Sequence, residues 1–324
     1  MSKPTVVVTS RSFGSTDPTA LMQLEQSGVA VVRAAADHRR DELARLLPEA
    51  VAWIAGTAPV DADLLALCPR LRVVARYGIG VDAVDLATAS GRGIWVTNTP
   101  GANTEAVADL AVGLMLDALR SITVGSVRLR AGDWSALRGR ELGACDVGLV
   151  GLGRIGQAVA RRLQGFGARV AATDPGLSEA DVAGVGLVDT NALVAASDVV
   201  SLHLPGGTAM VDEAWLRRMR PGAVLVNTAR ADLIDETAVA AALSERRLAV
   251  YAADTLSSEH ARSHSPLLAD DLADRVLITP HLGAQTEQAV ARMTVMAIAN
   301  VLAVLSGERP PNPVNAPTGI RSIQ

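Results

Sequence analysis

Lysine is almost missing from this sequence. Lys3 is the only one, so arginine carries nearly all the positive charge. With the abundant alanine, this reads as a compositional bias of the source and not as a functional signal. There is no basic arm or stripe; the formal net charge is −4, and both signs are spread along the chain. A nucleic-acid partner is therefore not expected. Cysteine is scarce too, with only Cys68 and Cys145. They lie far apart and lack metal-ligand spacing. The expectation is two buried free thiols in a reducing compartment, with no structural disulfide and no metal. No uninterrupted apolar run approaches the roughly 18 residues of a membrane span, and the apolar start of the chain is only strand-length. The expected protein is soluble and cytoplasmic, without a membrane partner. Short-period repeats and low-complexity segments are also missing.

What is present is a large apolar fraction, 49% of 324 residues. That supports a sizeable core and more than one domain. Short β-branched runs alternate with Ala- and Leu-rich helical stretches. Thr5–Thr9, Val29–Val32, Val51–Ile54 and Arg72–Ala75 form one series of strands. Val147–Val150, Arg169–Ala172, Val199–Leu202, Ala223–Val226, Ala249–Ala253 and Val276–Thr279 form a second. Strands alternating with helices imply βαβ units and parallel sheets. The expected fold is α/β, with two Rossmann-like, doubly wound parallel-sheet domains. A long helix is expected over Glu105–Leu119, with Thr104 as its N-cap. Another is expected over Glu287–Leu305, closed by Gly307 and the following prolines. Two long helices bracketing the second series suggest an insertion. Residues 102–284 would form the inserted domain, and 1–101 with 285–324 the flavodoxin-like host.

The strongest local signal is Gly151-Leu152-Gly153-Arg154-Ile155-Gly156, which follows a strand and opens a helix. In such a turn the first glycine permits the bend, the second lets the backbone approach a pyrophosphate, and the third allows helix and strand to pack closely. Asp174 ends the next strand, where an acid accepts from ribose hydroxyls and repels a 2′-phosphate. The expected cofactor is NAD. A glycine turn needed only for packing is the bland alternative.

Arg230, Glu259 and His281 lie at or just past expected strand ends on the carboxyl side of the second sheet, where open α/β sheets bind ligands. Singly, Arg230 also reads as a surface ion-pair partner, Glu259 as a solvated loop acid and His281 as a helix cap. Together they match hydride transfer from a hydroxy acid. An imidazole takes the hydroxyl proton. A carboxylate orients the ring, and a guanidinium forks onto the substrate carboxylate.

The segments VGLVGLGRIG, NTAR, AADTLSSE and TPHLGAQTEQA resemble the signature segments of the D-isomer-specific 2-hydroxyacid dehydrogenases. The stretch from Arg76 to Leu116 resembles them as well, and with TPHLGAQT and GERPPNPVN is most similar to phosphoglycerate dehydrogenases. The resemblance implies NAD-dependent oxidoreduction of a small 2-hydroxy or 2-oxo acid, with Arg230, Glu259 and His281 catalytic. It implies a substrate loop at Gly78, Ile79 and Gly80, shared with Arg230 and His281. It implies cofactor contacts at Thr104, His203, Pro205, Thr228, Ala229, Asp254 and Gly283, beside Gly151, Gly153, Arg154, Ile155, Gly156 and Asp174. It also implies a closing cleft and a homodimer.

Several positions depart from the family pattern. Ala231 and Asp232 follow Arg230 where a glycine is usual, and the loop from His203 to Asp212 is shorter. Ala55-Gly56-Thr57-Ala58 stands where phosphoglycerate dehydrogenases carry an arginine, leaving Arg76, Arg138 or Arg140 as sources of positive charge. No regulatory domain is expected after Asn315. A phosphonate-bearing hydroxy acid or aldehyde hydrate is therefore an alternative substrate class, and an NAD(H)-sensing binding protein an alternative function. Formate dehydrogenases pair the histidine with Gln where Glu259 stands. Phosphite dehydrogenases place Lys where Ile79 stands. Trp53, Trp95 and Trp215 read as packing residues, and Trp134 as a residue at a subunit contact or the substrate mouth. His38, His260 and His264 read as solvated.

Overall fold

The computed structural model describes residues 3–16, 18–179, 182–257 and 265–319. The chain divides into two compact units, Met1–Asn103 with Ala284–Gln324, and Thr104–Gly283. Each is built on one parallel sheet with helices on both faces, the α/β layering expected of alternating strands and helices.

The first unit begins with strands β1 (Thr5–Val8), β2 (Ala30–Arg33), β3 (Ala50–Ala55), β4 (Val73–Arg76) and β5 (Trp95–Thr97). They are ordered β2-β1-β3-β4-β5, all parallel. This is the flavodoxin-like order. The connecting helices are α1 (Pro18–Gln26), α2 (Arg40–Leu46), α3 (Ala62–Ala66) and α4 (Leu86–Gly91). Side chains alternate between the two faces of a strand. Val6, Val8, Ala52 and Ile54 therefore pack with Leu24 of α1, while Val7, Trp53 and Ala55 pack with Leu43 of α2 and Leu64 of α3. Both faces are covered, which is why these strands read as continuous apolar runs.

The second unit contains α5 (Thr104–Arg120), α6 (Ile122–Arg130), β6 (Asp146–Val150), α7 (Arg154–Gly165), β7 (Arg169–Thr173) and β8 (Gly186–Leu187). It continues with α8 (Thr190–Ala196), β9 (Val199–Leu202), α9 (Glu213–Arg218), β10 (Ala223–Asn227), α10 (Glu236–Ser244), β11 (Leu248–Ala253) and β12 (Val276–Ile278). Its sheet runs β12-β11-β10-β9-β6-β7-β8, all parallel. Strand order reverses between β6 and β9, the switch point at which such sheets bind ligands. Asp189, Asp212 and Asp235 cap α8, α9 and α10 by accepting first-turn N–H groups, each cap contributing about 1 kcal/mol.

The chain then returns to the first unit as α11 (Glu287–Leu305), capped by Thr286 and ended by Gly307 at φ 83°. By length and composition α11 is apolar enough to cross a membrane. Here Val290, Met293, Ala297, Val301 and Val304 fill the core against β1 and β3. Cys68 and Cys145 are buried and free, and burial pushes the Cys68 thiol up to about 12.

Some local expectations are corrected. Thr104 is the first residue of α5 and not its cap. His38 is buried, not solvated: Nδ1 donates to Pro59 O at 2.8 Å and Nε2 accepts from Thr9 Oγ1 at 2.7 Å. Its ring lies 5.0 Å from that of Trp53, and these partners satisfy a polar ring inside the core. Trp53, Trp95 and Trp215 are buried, and Trp134 is 84% exposed.

Candidate active site

The turn between β6 and α7 is shaped by close backbone approaches. Gly151 has φ 97°, and a Cβ there would stand 2.5 Å from His203 O. A Cβ on Gly156 would stand 2.2 Å from Gly151 O. Gly153 is the opposite case, facing open space. The N–H groups of Arg154, Ile155 and Gly156 precede the first intrahelical bond, from Gln157 N to Gly153 O. Unpaired N–H groups at a helix start, beside open space, form an anion site. Asp174, after β7, is tied to this turn: it accepts from Leu152 N at 2.8 Å and from Gly176 N at 2.9 Å. Beside it lies a cavity of about 390 Å³ lined by Val150, Pro175, Leu187, Thr190 and Leu204 among others.

Three further turns leave the same edge, because β10, β11 and β12 are adjacent and parallel. Arg230 follows β10. Buried Asn227 shapes its turn by donating Nδ2 to Arg230 O at 2.8 Å and accepting from Ala229 N at 3.0 Å. Asp254 follows β11 and is almost wholly buried. It accepts from Thr279 Oγ1 at 2.5 Å, Leu282 N at 2.7 Å and Gly283 N at 2.7 Å. Those donors flank His281, which has φ 54°. Gly283 has little room for a side chain, since a Cβ would meet Asp254 Oδ2 at 2.9 Å. Asp254 therefore organises the His281 turn, a role the sequence reading missed. Glu259, His260 and His264 lie outside the described residues.

The same edge carries buried polar atoms with no hydrogen-bond partner: both ring nitrogens of His203, Thr228 Oγ1 and Thr255 Oγ1. They follow β9, β10 and β11. Buried polar groups are rarely left unpaired, so a ligand is the natural partner. Together with the open helix start they fit a dinucleotide.

Residues 112–283 match the family model described as "D-isomer specific 2-hydroxyacid dehydrogenase, NAD binding domain". A D-3-phosphoglycerate dehydrogenase of Mycobacterium tuberculosis is 39% identical over 289 residues, 87% of this chain and 54% of that one. The chain thus spans about half the length of the curated phosphoglycerate dehydrogenases it matches. A glyoxylate reductase of Korarchaeum cryptofilum is 38% identical, covering 80% of each chain. The solved TT0316 protein of Thermus thermophilus superposes with a TM-score of 0.86 at 36% identity, covering 96% of this chain and all of that one. The chain belongs to the D-isomer specific 2-hydroxyacid dehydrogenases.

Members of this family are NAD-dependent oxidoreductases acting on CH–OH groups. The segment Gly78–Gly80, in the first unit, is shaped by Thr99 N donating to Gly78 O at 3.0 Å and Asn98 Nδ2 donating to Ile79 O at 2.9 Å. Arg76 is buried beneath it and donates to Tyr77 O at 2.8 Å. Arg140 is engaged elsewhere. It pairs with Asp198 just before β9, at the sheet edge opposite Arg230. Arg138 is exposed.

His203 gives a pH prediction. The residue is only half-buried, but both ring nitrogens are sealed from solvent, and burial pushes its pKa down from 6.5 to about 4. Between those values the unfolded chain holds a proton that the folded chain refuses. Stability is therefore full above pH 6.5 and falls as pH drops toward 4, by on the order of 3 kcal/mol. A His203→Gln variant should lose this component of the acid slope. Melting curves from pH 7.5 to 4.5 check it, and equal slopes in parent and variant would refute it.

Proposed function

We propose that this chain is an NAD-dependent D-2-hydroxyacid dehydrogenase acting on a small 2-hydroxy or 2-oxo acid, phosphoglycerate dehydrogenase-like in sequence. The observation that carries the reading is the shared sheet edge: the Arg230, His281 and Gly151–Gly156 turns all leave the carboxyl ends of one parallel sheet. When bound, NAD supplies the hydride acceptor or donor. Arg230 forks onto the substrate carboxylate and polarises the oxygen at the reacting carbon. His281 takes the hydroxyl proton in oxidation and returns it in reduction. The family resemblance gives Glu259 the part of the orienting carboxylate and Gly78–Gly80 that of the carboxylate loop. Thr104, Thr228, Ala229, Pro205 and Gly283 complete the cofactor contacts, and Asp174 favours NAD over its 2′-phosphorylated form.

Ala55–Ala58 carries no cation, and Arg140 is held at the far sheet edge. This favours a compact 2-oxo acid, the class named for the curated glyoxylate and hydroxypyruvate reductases. The test is NADH oxidation over glyoxylate, hydroxypyruvate, phosphohydroxypyruvate and 2-oxo phosphonates. Turnover of an unphosphorylated acid is expected. NADH binding without turnover of any of them would favour a sensor instead.

We also read the chain as half of a homodimer. α6 buries no residue, and Ile122, Val127, Leu129 and Trp134 are exposed along it and its following loop. Sedimentation should give twice the 33.5 kDa of one chain, and Trp134→Arg should weaken the pair. A monomer at micromolar concentration would refute this.

A further inference from the structure

Asp232, two residues past Arg230, directs its carboxylate at the loop that follows β9. Asp232 Oδ2 accepts from Gly207 N at 2.8 Å. A side chain at Gly206 would have to displace its neighbours. A Cβ would stand 2.6 Å from Asp232 Oδ1, 2.8 Å from Oδ2 and 3.0 Å from Arg230 Cγ. The loop backbone thus lies against both the carboxylate and the aliphatic shaft of Arg230. Gly207, at φ 122°, occupies a conformation open in practice to glycine alone. The far end of the loop is stitched to the same segment: Met210 N and Val211 N donate to Leu233 O at 3.0 and 2.9 Å, and Val211 bridges to Ile234.

We propose that Gly206, Gly207 and Asp232 form a latch that seats this loop on Arg230 and thereby positions its guanidinium. The proposal rests on the dehydrogenase reading of Arg230. Two features that depart from the family pattern belong together in it. The loop is short and carries glycine where it meets the arginine shaft, and the carboxylate two residues after the arginine supplies its anchor. Gly206 and Asp232 are positioning residues, acting through Arg230.

Gly206 has no positive φ, so Gly206→Ala tests space alone. Displacing the arginine shaft should lower kcat by at least about tenfold, with the substrate KM raised and the NADH Kd nearly unchanged. Unchanged kcat in a folded Gly206→Ala variant would overturn the latch. Asp232→Asn keeps an acceptor for Gly207 N and should stay near the parent rate, whereas Asp232→Ala should not. Equal rates in those two would also overturn it, even if Gly206→Ala failed to fold. Hydrogen exchange at residues 206–211 reads the latch without turnover. Faster exchange in Asp232→Ala supports it and unchanged exchange refutes it. A parent protein that turns over no 2-oxo acid would sink the dehydrogenase reading while the exchange result still judged the latch.

Discussion

Arg230→Ala loses at least about 100-fold in kcat while NADH still binds. Losses of that size follow removal of a single positioned electrostatic group from a reacting oxygen. Binding survives because the pyrophosphate and ribose elements lie on other strands: the α7 start follows β6, and Asp174 follows β7. Arg230 Nη1 donates to Ala229 O at 2.9 Å, but the turn has a second support. Asn227 holds it through the backbone of Ala229 and Arg230, so truncation leaves the β10 edge intact. Arg230→Lys should recover only part of the rate, since an ammonium keeps the charge but loses the planar fork. Stopped-flow turnover and NADH fluorescence titration separate the two quantities. A near-normal kcat for the alanine variant would remove Arg230 from the mechanism, and a lost NADH affinity would make it a cofactor ligand instead.

How far the sequence could be read follows from where each feature gets its structure. The central strands were legible because both faces of each sheet are covered, so Val6–Val8 or Ala223–Val226 read as unbroken apolar runs. β5 and β8 were not. Each lies at the edge of its sheet, and β8 is only two residues long, so its pairing to β7 supplies the order that its own pattern does not. α6 escaped notice for a related reason: with no buried residue it has no apolar stripe facing a core. The glycine turn was legible because strand, turn and helix are consecutive. His38 was misread because Asp37 and Arg39 beside it suggest solvent, while its partners Thr9, Trp53 and Pro59 come from three distant segments. The same distance hid the work of Asp254. An acid after a strand is visible in sequence, but its three donors are contributed by residues 279–283. Asp232 stood out only as a departure from the family pattern, with no sign that Gly207 would be its partner.

His281→Ala is the sharper test, because Asp254 holds the backbone of its turn. The backbone there is fixed by Asp254 through Leu282 N and Gly283 N, and neither bond uses the His281 side chain. His281 already sits at φ 54°, so exchanging one residue with a Cβ for another adds little new strain. Fold and NADH affinity should therefore hold while the proton acceptor disappears. The expected fall in kcat is about 10²- to 10⁴-fold, the usual worth of a positioned general base. His281→Asn tolerates the left-handed backbone and supplies polarity without basicity, so it should fare no better than alanine. Added imidazole should restore part of the alanine variant's rate, in proportion to the free-base concentration. Rescue by imidazole at unchanged NADH affinity is a signature that a merely structural residue does not produce. If kcat stayed within a few-fold of the parent, or imidazole had no effect on a folded and NADH-competent variant, proton transfer would have to be assigned to another group.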